Sequence, residues 1–319
     1  MKKLFYLAWW YFQVRFLNKK KPLQTVLFIN NECNLRCKHC CIDKDSQKIT
    51  KSYEQIKEEL EYSYKLGSRF VDFEGGEPTL WKEKDKNIND LILLAKKIGF
   101  FSTTVTTNAQ NDFSWLNTDS IWVSIDGFEK YHDSIRGENS FKKAIENIEK
   151  YGKTDKNNLS INMVINSLNE KSVEDTIKFA KNNPYINSIS LNFHMPYFGT
   201  ENLCTKNKNE IIDKIIELKK QGYPIMNTFN GLKNLKKSQN GKYCWITNFI
   251  MPNGEKLPQC QGKENNMCEN CGLGMATEMK NIYNFNLETI LAGIKLRLFK
   301  NKNYFYLFFY YFFITFCNN

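Results

Sequence analysis

"FINNECNLRCKHCC", residues 28–41, places Cys33, Cys37, Cys40 and Cys41 on one short stretch directly after an apolar run. The first three follow the spacing C-x3-C-x2-C. Structural zinc prefers four ligands, usually as paired C-x2-C knuckles. Three thiolates on one loop suit a [4Fe-4S] cubane with three irons anchored and one left open. An open coordination position serves catalysis rather than scaffolding. Cys41 adjoins Cys40, so its side chain is expected to point away as a spare thiol.

The apolar run before this loop is the first of six. Strands are expected at Thr25–Asn30, Phe70–Glu74, Ser102–Thr107, Ile121–Ile125, Leu159–Ile165 and Ser188–Phe193. Helix-like stretches lie at Tyr53–Leu66, Asn87–Ile98, Phe141–Tyr151, Ser172–Lys181 and Lys208–Gln221. Most strands are apolar for several residues in a row, as strands covered on both faces are. Alternation of this kind implies right-handed βαβ units and a parallel sheet. The expected fold class is therefore α/β, a partial (β/α)6 TIM-like barrel. Its chemistry belongs at the C-terminal ends of the strands, which is where the cysteine loop falls.

The chain has 319 residues, enough for one large domain and a small appendage. Its net charge of +11 could attract an anionic partner, but no basic motif is interleaved with aromatics in a nucleic-acid-binding pattern. No nucleic-acid partner is expected. Ten cysteines in a chain of this length, without a clear export signal, read as metal or redox chemistry rather than disulfides. Four cluster at 33–41 and four more at Cys244, Cys260, Cys268 and Cys271; Cys204 and Cys317 stand apart and are read as incidental.

The loop "NNECNLRCKHCC", with His39 just before the third cysteine, resembles the signature of the radical S-adenosylmethionine (radical SAM) enzymes. "FEGGEP" (Phe73–Pro78) supports the resemblance at the end of the second strand. In that family a GGE turn binds the amino group of the SAM methionine, which would be the role of Gly75, Gly76 and Glu77. The resemblance further implies cofactor contacts from His39 and from strand-end residues. These are Asn108, Ser124 and Asp126, then Arg136 in "YHDSIRG", and Asn166. Ala109 stands where many relatives have Gly. His194, at the end of the sixth strand, is read either as a catalytic contact or as a buried structural histidine.

The second cysteine group, Cys244, Cys260, Cys268 and Cys271, can close a site completely, with a [4Fe-4S] cluster or zinc. "MPNG" followed by "EKLPQC" reads as a hairpin with Gly254 in its turn. The arrangement is similar to shortened SPASM or twitch auxiliary-cluster domains. The implied enzyme holds SAM on the open iron and cleaves it reductively to a 5′-deoxyadenosyl radical, which abstracts hydrogen from its substrate. The substrate class implied is a peptide or protein, with a lipid or isoprenoid at the membrane surface as the alternative. A third reading is a noncatalytic metal-binding protein. A flavodoxin or ferredoxin would donate electrons, in a reducing, anaerobic cytoplasm.

The domain expectation is 1–21 for an aromatic and basic helix, 22–235 for the barrel, 236–285 for the auxiliary-cluster domain and 286–319 for a helix and apolar tail. "MKKLFYLAWWYFQVRFLNKKK" has an apolar run too short to span a bilayer, which needs about 20 residues. It lacks an A-x-A-like cleavage site. It suits either a peripheral contact with the inner face of the membrane or packing across the bottom of the barrel. The tail "YFYLFFYYFFITFC" (Tyr304–Cys317) reads as a run-on end rather than an anchor.

Overall fold

The computed structural model describes residues 2–298 apart from 44–45, 155, 157 and 238–240. The apolar tail and Cys317 lie outside the described residues. The chain begins with helix α1 (Lys2–Arg15), strand β1 (Gln24–Phe28), α2 (Tyr53–Leu66) and β2 (Phe70–Glu74). A small hairpin, β3 (Lys82–Glu83) and β4 (Lys86–Asn87), precedes α3 (Ile88–Ile98). Next come β5 (Ser102–Thr107), β6 (Ser120–Ser124), α4 (Lys130–Arg136), α5 (Ser140–Gly152) and β7 (Leu159–Ile165). They are followed by α6 (Val173–Asn182), β8 (Ser188–Phe193), α7 (Lys208–Lys220) and α8 (Phe229–Leu235). The last elements are β9 (Thr247–Ile250), β10 (Lys256–Leu257), α9 (Gln261–Glu264), α10 (Gly274–Tyr283) and α11 (Leu287–Leu298).

The sheet order is β10-β9-β1-β2-β5-β6-β7-β8, and every pairing but β10–β9 is parallel. The six expected strands are all present, and the α/β partial-barrel expectation holds. Local signals account for the boundaries. α3 opens on a capping box formed by Asn87 and Asp90 and stops at Gly99, φ 117°, a conformation that favours glycine. The expected hairpin is β9–β10, with Gly254 at φ 84°. It does not stand apart from the barrel: β9 pairs with β1, Gln24 opposite Thr247, so the sheet runs unbroken across the expected boundary at 235/236.

Strand side chains alternate with period two. Odd positions such as Leu27, Val71, Phe73, Val105, Ile121 and Ile161 pack outward under the helices as one core. Even positions face the lumen, and many are polar: Gln24, Asp72, Thr104, Asn162, Ser190 and Asn192. The strands are therefore buried on both faces, with a mostly apolar outer face and a mixed lumen face where Val26, Phe70 and Val164 stand among the polar positions.

Among the described residues the barrel is open between β10 and β8. α10 lies across that gap. Its Gly274 N donates to Asn192 Oδ1 on β8 at 2.8 Å, while Met275 Sδ meets Gln24 of β1 and Thr247 of β9. α11 reaches in beside it: Arg297 binds Asp72 through two nitrogens, at 2.8 and 3.1 Å, and also Thr104. Gln24 donates to the same Asp72 carboxylate. α1 covers the bottom, with Trp10 and Val14 buried, Tyr6 Oη donating to Gly67 O and Lys3 Nζ to Phe101 O.

Candidate active site

One cavity of about 820 Å³ occupies the lumen. At its upper end lies the cysteine loop, which follows β1 and is tied down on several sides. Asn31 N donates to Ile49 O, Asn31 Nδ2 to Gln47 O and Lys38 N to Ile135 O. Cys33, Cys37 and Cys40 all line the cavity. Donors point at their sulfurs: Leu35 N (3.4 Å) and Asn108 Nδ2 (3.5 Å) at Cys33, Arg136 Nη1 (3.9 Å) at Cys37, and Ile42 N (3.5 Å) at Cys40. Burial pushes the Cys33 thiol up to about 11, and the charges of Glu77, Cys37 and Cys40 add to the rise. Mutual repulsion of this kind is relieved when thiolates bind a cationic centre.

The GGE turn is joined to the root of the loop. Gly76 N donates to Asn30 O at 3.1 Å and Glu77 N to Glu32 O at 2.7 Å. A Cβ on Gly75 would lie 2.2 Å from Asn30 Oδ1, and one on Gly76 2.2 Å from Glu32 O. What these glycines admit is the cysteine loop itself. The Glu77 carboxylate is held by protein donors: Thr79 N and Oγ1, Thr107 Oγ1 and Asn108 N, at 2.6–3.1 Å. It locks the end of β5 to the turn. Asn108 in turn donates to Asn34 Oδ1 at 2.8 Å, and the next residue, Ala109, sits at φ 56°. That is a left-handed conformation glycine adopts without strain.

Asp126, His39 and Arg136 form a buried brace. Asp126 accepts from Arg136 Nε at 2.6 Å and from Val164 N at 2.8 Å, and His39 Nε2 lies 3.3 Å away. Burial works to raise the Asp126 pKa, but Arg136, His39 and the Val164 amide hold it below the usual carboxylate range. His39, Arg136 and Ser124 reach the cavity lining; Asp126 and Asn166 are not among its lining residues. Asn166 instead shapes the turn after β7, accepting from Leu168 N and donating its own amide N–H to Asn169 Oδ1. His194 does face the cavity. Its Nε2 is 2.9 Å from Thr200 Oγ1, and burial lowers its pKa.

Cys41, expected to turn away, lines the same cavity. Burial pushes its thiol up to about 12, and Cys40 and Glu74 add to this. Two buried or lumen-facing groups escaped the sequence reading. Glu74, on the lumen face of β2, accepts from Thr106 Oγ1, and burial raises it to about 8. It shares a face with Asp72, two residues earlier, so period-two alternation could have found it. His132 accepts from Asp126 N at 3.1 Å and is held neutral, pushed down to about 3 by burial and Arg136. It lies in the quoted "YHDSIRG".

The second cysteine group gathers against β1, β9 and β10. Cys244, Cys260 and Cys271 are buried in an apolar cluster with Val26, Phe249 and Leu257. Cys244 donates to Cys260, which raises the first thiol and lowers the second to about 6. Cys268 is close enough to feel the Cys260 charge. Cys260 also lines the cavity, and Tyr197 feels the charges of Cys41, Cys260, Cys271 and Cys268. Among the described residues no three His, Cys, Asp or Glu side chains close round a single metal-ion position. A cubane takes its thiolates on separate irons and spaces them more widely than one ion does.

Residues 27–180 match the sequence pattern of the Radical SAM superfamily. Just under half of the chain thus resembles a Radical SAM domain. Members of that superfamily are enzymes that carry a [4Fe-4S] cluster and bind SAM, and the likeness weighs against the noncatalytic reading. A Sulfurisphaera tokodaii protein named "Probable GTP 3′,8-cyclase" is 25% identical over 59% of this chain and 62% of its own length. A Sulfolobus acidocaldarius protein of the same name is 24% identical over 56% and 58%. The chain thus spans about three fifths of the curated relatives it matches. Streptococcus suis SuiB bound to precursor peptide SuiA shares the fold, with TM-score 0.61 and 16% identity over 83% of this chain and 65% of SuiB. So does anSMEcpe with bound AdoMet and the Kp18Cys peptide, with TM-score 0.58 and 18% identity over 87% and 88%.

Proposed function

We propose that Cys33, Cys37 and Cys40 hold the [4Fe-4S] cluster of this radical SAM enzyme and that its substrate is a peptide or protein. The observation that carries the reading is the pair of backbone bonds joining Gly76 and Glu77 to Asn30 and Glu32. They bring the three-thiol loop and the GGE turn to one end of one cavity. The donor set fits the cluster: three thiols facing a shared space, each with an N–H donor, the means by which a protein tunes such a centre. When bound, the cluster and SAM supply a 5′-deoxyadenosyl radical for hydrogen abstraction.

The chain's own residues do the positioning. Arg136, Asn108 and the Leu35 and Ile42 amides orient and polarise the sulfurs. The His39–Asp126–Arg136 brace fixes the loop's underside, and Gly75, Gly76 and Glu77 line the cavity wall beside the loop. The lumen admits a substrate between the two cysteine groups. Cys244, Cys260, Cys268 and Cys271 would hold a second [4Fe-4S] cluster, SPASM- or twitch-like, which would supply electron transfer with the substrate, and a flavodoxin or ferredoxin would be the electron donor. Solved relatives of the same fold with bound peptides support the peptide reading over the cyclase names, whose matches cover a smaller share of this chain.

Anaerobic reconstitution tests this. Wild type should bind about eight irons, four per cluster, and release 5′-deoxyadenosine under reductant. The triple variant Cys33→Ala, Cys37→Ala, Cys40→Ala should keep about half the iron and release none. Release of 5′-deoxyadenosine by that variant would overturn the cluster assignment.

A further inference from the structure

Helix α1 has two apolar faces. One is spent on the barrel's bottom. The other carries Phe5, Trp9 and Phe12 and is continued by Phe16 in the turn just past the helix, bonded through its N–H to Phe12 O; the four are exposed by 75%, 49%, 43% and 67%. At 3.6 residues per turn these positions fall within an arc of about 60° and form a ridge about 16 Å long. Their rings touch in series, Trp9 to Phe12 at 5.5 Å between centroids and Phe12 to Phe16 at 5.4 Å. Phe285, 57% exposed, meets Tyr11 at the helix flank. A continuous apolar ridge on a folded surface marks a contact site.

The charges around it choose the occupant. Residues 1–31 contain no Asp or Glu, while Lys2, Lys3, Arg15, Lys19, Lys20 and Lys21 surround the ridge in sequence. Lys2 lies at one end, and Lys19 and Lys20 lie past the other; all three are exposed. Among the described residues no helix is long and apolar enough to cross a membrane. The ridge is convex and presents Trp and Phe beside lysines, the composition of helices that lie in a bilayer surface. We propose that α1 docks in the plane of an anionic lipid bilayer, with Phe5, Trp9, Phe12 and Phe16 immersed and the lysines on the headgroups. The inner face meets the packing expectation for this segment, and the membrane contact is what is proposed for the outer face. The inner face, with Leu4, Leu7 and Ala8, lines the far end of the lumen cavity, so the bilayer would lie at the end opposite the cysteine loop. The proposal stands whether or not the chemistry above is correct.

Flotation of the full-length protein with phosphatidylcholine vesicles, with and without 30 mol% phosphatidylglycerol, tests it. Wild type should float with the anionic vesicles. The variant Phe5→Ser, Trp9→Ser, Phe12→Ser, Phe16→Ser should lose at least about a hundred-fold in partitioning, with its circular-dichroism melt unchanged. Replacing Lys2, Lys19 and Lys20 with Gln should cost about five-fold per lysine on anionic vesicles and nothing on neutral ones. The proposal is overturned if wild type does not float or if the ridge variant still does. It is equally overturned if deleting residues 304–319 alone releases the protein, or if the ridge proves to drive a dimer that ignores vesicles.

Discussion

The two cysteine groups share one cavity and are built in opposite ways. The first sits on a single loop at the end of β1, with Cys33 exposed and Cys37 buried, and is surrounded by polar donors and a charged brace. The second is drawn from a long stretch of chain into an apolar pocket, with Cys244, Cys260 and Cys271 all buried. Polar surroundings and access suit a centre that must bind a ligand and change its coordination. An apolar pocket that buries three of its four thiols suits one that does not. The difference is what a reactive site and a supporting one would each require.

The sharpest way to break that contrast is Cys260→Ala. It should remove about half the bound iron and leave uncoupled release of 5′-deoxyadenosine intact, while product formation falls to background. If 5′-deoxyadenosine release falls as well, the two groups do not act as separate units.

Asp126→Asn tests the brace beneath the first group. It leaves Arg136 buried beside a neutral partner, a change that typically costs about 3–5 kcal/mol, read by urea denaturation at pH 7. The acid limb should change too. The Asp126 pKa is depressed in the fold, so its contribution is present above the ordinary Asp value of about 3.9 and is lost as pH falls through the folded value. The variant should show a shallower loss of stability below about pH 4.

Glu74→Gln addresses the polar lumen between the groups. Glu74 is raised to about 8 by burial, so its stabilising protonated form is fully present below the ordinary Glu value and is lost as pH rises through about 8. Wild type should therefore lose stability between about pH 4 and the alkaline side of 8, and the variant should lose less. An unchanged slope would place the Glu74 carboxyl in solvent. The smallest effect is expected at Ala109→Gly. Relief of the left-handed strain, about 1 kcal/mol, is offset by greater freedom of the unfolded chain and a lost buried methyl. A change above about 1.5 kcal/mol would mean that Ala109 does more than turn the chain.

Much of this was legible beforehand because it is local. The six strands and their helices announce themselves by period and caps, and Cys33, Cys37, Cys40 and the GGE turn by spacing. What stayed hidden depends on partners far apart in sequence. Arg297 sits in "LAGIKLRLFK" with nothing to mark it as the lumen partner of Asp72. Asp126 and Arg136 were expected to face a ligand, yet their strongest partners are each other. The polar lumen positions were masked by the apolar residues that alternate with them, which made each strand read as uniformly buried.

The pairing of β9 with β1 bears on the order of folding. β1 is flanked by β2, made soon after it, and by β9, made much later in synthesis. Until β9 arrives, a parallel edge beside the cysteine loop has half its hydrogen-bonding groups open, the kind of edge that recruits other chains. Such distant pairings also form slowly. A chain that stalls or is cut before residue 247 would carry every residue of the three-cysteine loop and the GGE turn with the β1 edge unpaired, so its soluble expression requires that edge to be covered by other means.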